Sequence, residues 1–162
     1  MVDCYNSENL HWQKGCCPTP GPADAAAAYG GRINNIVDFL PLTGGQAQQL
    51  AFNATLPSLN TDYGENSIIV KQAGIYKIDY TLVGTSDIAT VLTIAVRQNG
   101  NNIPTAMQSL LLQADVEDSF AGSTIAYLAQ DTVLDMSVAL FQSGELMLSQ
   151  GANTSLVIVR LS

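Results

Sequence analysis

The three cysteines of this 162-residue chain, Cys4, Cys16 and Cys17, all fall within its first seventeen residues. A disulfide that staples one compact domain joins segments far apart in sequence, and here the remainder of the chain has no thiol to offer. The arm's sulfurs are therefore placed to join one subunit to another. The chain divides accordingly into a cysteine-bearing arm over 1–17, a spacer over 18–23 and a β-rich body over 24–162. In the spacer, Pro18, Pro20 and Pro22 alternate with Thr19, Gly21 and Ala23. Three prolines in five positions stiffen the backbone toward polyproline II. One Gly-Pro-Ala triplet is too little to wind a collagen helix.

The body follows the two-residue rhythm of strands. In the run 75–83, Tyr76, Ile78, Tyr80 and Leu82 point to one face, and Lys77 and Asp79 to the other. Further strands are predicted over 67–72, 89–98, 107–113, 119–128, 132–141, 145–149 and 155–161. Asn99-Gly100 closes the run 89–98 and is a strong hairpin signal, because both residues tolerate positive φ. No stretch reads as a helix. Short strands with regular turns predict an antiparallel sandwich or barrel. The last strand is apolar enough to be central in its sheet or buried between subunits.

Composition narrows the function. The chain is 47% hydrophobic and only 12% charged, with a net charge of −8. Few charges on so apolar a chain imply that part of the apolar surface is covered by partners. The acidic balance disfavours phosphate-rich partners, so neither nucleic acid nor an anionic membrane surface is expected. No basic start followed by an apolar run marks a cleaved signal peptide. Cysteine usage nevertheless looks extracellular, which fits a protein made in a cytosol and exposed on lysis of the producing cell.

Catalysis finds no support. His11 is the sole histidine, Gly122-Ser123 lacks a nucleophile-elbow setting, and no Gly-rich phosphate loop opens a helix. No cofactor and no metal are expected. Cys4, His11, Cys16 and Cys17 could supply four zinc ligands, but the adjacent Cys16-Cys17 pair is not a Cys-x-x-Cys spacing, and disulfides are preferred. Asp115, Glu117 and Asp118 read as a solvated turn, with a calcium site as the alternative. Asn53-Ala54-Thr55 and Asn153-Thr154-Ser155 fit the N-glycosylation pattern and are read as unmodified. The aromatics Tyr76, Tyr80, Phe120, Tyr127 and Phe141 are expected in the core or on a subunit axis.

Several segments resemble the C-terminal domain of BclA-type collagen-like glycoproteins of the spore surface. They are Ala27 with Tyr29-Gly30-Gly31, the run 67–76, residues 96–100 with Asn102-Ile103-Pro104, and 154–161. Ala95-Val96-Arg97-Gln98-Asn99-Gly100 is the most specific block, and the resemblance spans about residues 25–162. It implies an all-β jelly roll like that of tumour necrosis factor, non-catalytic and homotrimeric, on the exosporium of bacterial endospores. Family members carry a Gly-X-Y stalk before this domain, and this chain has the cysteine arm and spacer there instead.

The expectation is a spore-surface fibre. Its trimers would stack head to tail, with a spore-coat anchor protein as a further partner. Twenty-three extended residues reach at most about 75 Å, farther than the roughly 40 Å width of such a domain. The arm would dock through Val2, Tyr5, Leu10 and Trp12, adding to an exposed sheet edge. Cys4, Cys16 and Cys17 would lock the joint by intersubunit disulfides. With three cysteine types per subunit and no two-fold axis in a polar stack, one type is left over as a free thiol or a bridge to another protein. The alternative is a trimeric tip, an adhesion or glycan-binding module of the spore surface.

Overall fold

The computed structural model describes residues 27–162. These form thirteen strands: β1 Tyr29–Asn34, β2 Phe39–Leu42, β3 Gln48–Gln49, β4 Ala54–Thr55, β5 Thr61–Gly64, β6 Ser67–Val70 and β7 Gly74–Ser86, then β8 Thr90–Gln98, β9 Asn101–Leu112, β10 Glu117–Leu128, β11 Val133–Leu140, β12 Gly144–Leu148 and β13 Thr154–Arg160. No helix occurs among the described residues.

Two antiparallel sheets pack into a jelly-roll sandwich. One has the order β2-β12-β7-β13-β1-β4, with β10 on the other edge of β7. The second has the order β5-β6-β11-β8-β9, with β3 added to β11. In the first sheet, β12 and β13 lie in one line along β7, since partners on β7 fall steadily from Ser86 to Tyr76. β1 and β2 run in one line beside them. β13 is thus central, paired with β7 on one side and β1 on the other, as its apolar sequence predicts.

The alternation in β7 holds. Tyr76, Ile78, Tyr80 and Leu82 are buried between the sheets against Leu92, Ile94, Leu134 and Met136 of the second sheet. Lys77 and Asp79 face outward. Burying each large aliphatic side chain stabilises by about 1.5–3 kcal/mol. Asn99 and Gly100 adopt φ of 50° and 80°, the type I′ geometry that the β8–β9 hairpin requires.

The structure adds five strands before residue 67, where sequence periodicity names none. They are short, and Pro41, Pro57 and Gly44-Gly45 interrupt the apolar runs. β9 begins six residues earlier than the apolar stretch 107–113 alone predicts, because the hairpin turn fixes its start.

Candidate self-association face

The outward face of the first sheet can be read row by row across β1, β13, β7 and β10. One row is Tyr29, Val159, Lys77 and Ile125, the next Gly31, Val157, Asp79 and Ser123, and the third Ile33, Ser155, Thr81 and Ala121. Below them Leu161 and Ile75 lie beside Tyr127. The end of the barrel where β1 starts and β13 stops, here the lower end, is therefore apolar. Ile125 is 62% exposed and Tyr127 is 64% exposed, with Tyr29, Ile75, Val159 and Leu161 exposed beside them.

A groove of about 390 Å³ opens at this end between Tyr29, Val157 and Val159 and the Leu56-Pro57 segment that follows β4. Gly31 lets Leu56, one of the groove's lining residues, pack closely on β1. Leu56 folds over the glycine, and a Cβ on Gly31 would come within 2.8 Å of Leu56 Cδ1. Higher on the same face, small hydroxyl side chains replace the aliphatics. Thr81 and Ser155 share a hydrogen bond of 2.7 Å.

The charged groups of these rows neutralise each other. Lys77 Nζ lies 2.9 Å from Asp79 Oδ2. Burial pushes the Asp79 carboxyl up, but hydrogen bonds from Ser123 and Lys77 outweigh it and hold the group below the ordinary carboxylate range. The centre of the face thus carries no net charge.

The side wall next to this face carries no charge. β9 has none along Asn101–Leu112, and β10 has none from Ser119 to Leu128. Each is an edge, β9 paired only to β8 and β10 only to β7. Thr124 Oγ1 donates to Thr105 Oγ1 at 2.8 Å where the two edges approach. Pro104 and a register shift opposite Ala95–Arg97 blunt the first half of β9, whereas its second half, Met107–Leu112, and β10 from Ser119 onward keep uncharged edges of the kind that are normally covered. The apolar face and the uncharged wall are unlike surfaces, so a contact between them would be heterologous, giving a ring or an open filament according to its rotation.

The other residues singled out from sequence fall as follows. Cys4, Cys16, Cys17, Val2, Tyr5, Leu10, Trp12, Pro18, Pro20 and Pro22 lie outside the described residues, as does His11. Of the five aromatics, Tyr76, Tyr80 and Phe120 are core, whereas Tyr127 and Phe141 stand out in solvent. Asp115, Glu117 and Asp118 do not converge. Glu117 accepts a hydrogen bond from Ser149 Oγ at 2.6 Å, and no three metal-ligating side chains cluster among the described residues.

The Asn153 amide is 1% exposed and donates to Ile36 O and Ser149 O, so this sequon is closed to a glycosyl donor. Asn53 is exposed, and its amide donates to Asn35 Oδ1 at 2.6 Å.

Sequence reasoning missed Arg32. It sits buried on the core side of β1, and its guanidinium donates to the carbonyls of Phe52, Gly64 and Glu65 at 2.7–2.8 Å. It also stacks near the rings of Phe52 and Tyr63, at 6.0 and 5.6 Å. This cation fastens the segments on either side of β4 and β5 onto β1. An arginine between Gly31 and Ile33 in a short strand gives no sequence signal of that role.

No protein-family model and no curated protein sequence matches the chain. Solved structures do. The crystal structure of murine APRIL at pH 5.0 superposes with a TM-score of 0.59 at 12% identity, covering 83% of this chain and 99% of that one. Murine APRIL at pH 8.0 gives 0.57 at 13% identity, with 83% and 99% coverage. Eiger TNF from S. frugiperda gives 0.57 at 12% identity, with 84% and 92% coverage. At this identity the likeness is one of fold, and the body is a tumour-necrosis-factor-like jelly roll.

Proposed function

We propose that this chain is a structural subunit of a spore-surface fibre, without enzymatic activity. The body forms a homotrimer through the outward face of its first sheet. Residues 1–17 join one trimer to the next, and Cys4, Cys16 and Cys17 make that joint covalent. The observation that carries the reading is the uncharged wall of β9 and β10 beside an apolar, self-neutralised sheet face. Such surfaces mark interaction sites, and a second copy supplies both halves. The sequence resemblance to spore-surface glycoproteins supplies the location. The confinement of every thiol to the arm supplies the cross-link.

A glycan-binding tip is the second reading. A groove of about 350 Å³ at the β8–β9 turn is lined by the amides of Gln98, Asn99, Asn101 and Asn102. Such donors and acceptors suit sugar hydroxyls. This groove lies at the lower end, where the arm joins the body, which favours the building-block reading over the tip.

Electron microscopy of the full chain separates the two. Filaments are expected, and isolated threefold particles would favour the tip. Heating in detergent should leave the filaments intact, and heating with a reductant should dissolve them. Filaments that dissolve by heat alone would overturn the covalent joint.

A further inference from the structure

The two ends of the barrel offer different things to a neighbour. At the lower end Arg160 N donates to Ala28 O and Asn60 Nδ2 to Ala27 O, each at 2.8 Å. These bonds continue the line of β1 beyond Tyr29. The backbone at Ala27 is therefore aimed off the lower end along the strand direction.

In the upper half, the loop over 35–38 between β1 and β2 shows Ile36, Val37 and then Phe39 to water, with Ile36 and Phe39 each 55% exposed. Four asparagines hold this loop. Asn53 exchanges hydrogen bonds with Asn35 through Asn35 N at 3.0 Å and Asn35 Oδ1 at 2.6 Å. Ile36 O accepts from Asn34 Nδ2 at 3.3 Å and from the buried Asn153 Nδ2 at 2.8 Å. Apolar side chains held in water by a fixed amide framework are preorganised for a partner.

Strand addition is blocked here. Leu148 N donates to Asp38 O, so alternate residues Leu40 and Leu42 face β12 and the outer edge belongs to Phe39 and Pro41. Phe39 N–H already donates to Asp38 Oδ1 at 2.9 Å, and Pro41 has no N–H. A proline and an internally bonded donor blunt this edge. A partner must engage it through side chains.

We propose that the loop over 35–38, with Phe39, is the acceptor for residues 1–17 of a second copy, Leu10 and Trp12 packing on Ile36, Val37 and Phe39. The proposal rests on the fibre reading and names its joint. The twenty-six residues before Ala27 can span at most about 85 Å. The barrel is about 40 Å long, judged from thirteen residues of β7. The upper half of a molecule beyond the lower end is thus in reach, and the same length reaches the chain's own loop only by reversing the direction in which Ala27 is aimed. A polar stack brings unlike ends together.

The test uses the absence of thiols after residue 17. Full-length chain carrying Val37→Cys is labelled with ¹⁵N, mixed with unlabelled wild-type chain, assembled and oxidised. Disulfide-linked peptides are then mapped by mass spectrometry. The expected product joins a labelled peptide containing position 37 to an unlabelled arm peptide. A second labelled chain with Gln130→Cys, an exposed turn at the lower end, should give none. Links found only within labelled chains, no arm link at position 37, or equal capture at 130 would each overturn the assignment. If filaments still form in such a case, the fibre reading stands and only the acceptor fails. If wild-type chain forms no filaments, the fibre reading itself fails.

Discussion

The phenol ring of Tyr80 occupies the space that a side chain at Gly122 would need. The two residues pair directly across β7 and β10. A Cβ on Gly122 would come within 2.7 Å of Tyr80 Cε2 and closer still to Cζ and Oη. The ring in turn covers the bare glycine backbone, a cross-strand arrangement that offsets the weakness of glycine in a strand. Replacing Gly122 with alanine should destabilise the fold by about 1–3 kcal/mol, the usual cost of overpacking. Tyr80→Phe should be neutral or slightly stabilising, because Tyr80 Oη is buried without a partner. Urea denaturation of both variants measures this. An unchanged midpoint for Gly122→Ala would show that the ring can step aside.

Ile125 stands in water in the row that ends at Tyr29. Ile125→Glu should change the stability of an isolated subunit by no more than about 0.5 kcal/mol. It should weaken self-association at least about tenfold, since the carboxylate would be buried on assembly. Sedimentation velocity against concentration gives the result. A variant that associates like wild type would remove the outward face of the first sheet from the interface.

The depressed Asp79 carboxyl makes a pH prediction with a definite sign. Ser123 and Lys77 stabilise the ionised form in the folded state, outweighing the opposing effect of burial. A carboxyl whose folded value lies below its unfolded one stabilises the fold above the unfolded value. That contribution disappears as the pH falls through the folded value. Stability should therefore decline below about pH 4, and Asp79→Asn should flatten part of that decline. The pair is partly exposed, so the effect should stay under about 1 kcal/mol. Thermal unfolding of both proteins at stepped acidic pH is the measurement. Identical slopes would mean that the Lys77–Asp79 pair carries no acid sensitivity.

Much of the fold is legible in the chain itself. Alternation in 75–83 sets which face of β7 is buried, and Asn99-Gly100 sets the β8–β9 turn. The apolar run at the C-terminus announces a central strand. These are local signals, each carried by residues adjacent in sequence. The position of every thiol and the low charge also point to assembly before any coordinate is known.

Tertiary structure decided the rest, because it depends on residues brought together across the sheets. Only pairing places Ile125 in line with Tyr29, or Tyr80 over Gly122. Only packing draws Asn34, Asn35, Asn53 and Asn153 around one loop and turns Arg32 inward onto three carbonyls. Residues up to 66 form strands too short to show a period, so their register comes from the neighbours they pair with. A sequence fixes which side chains alternate, while which of them remain exposed depends on the strands that cover the others.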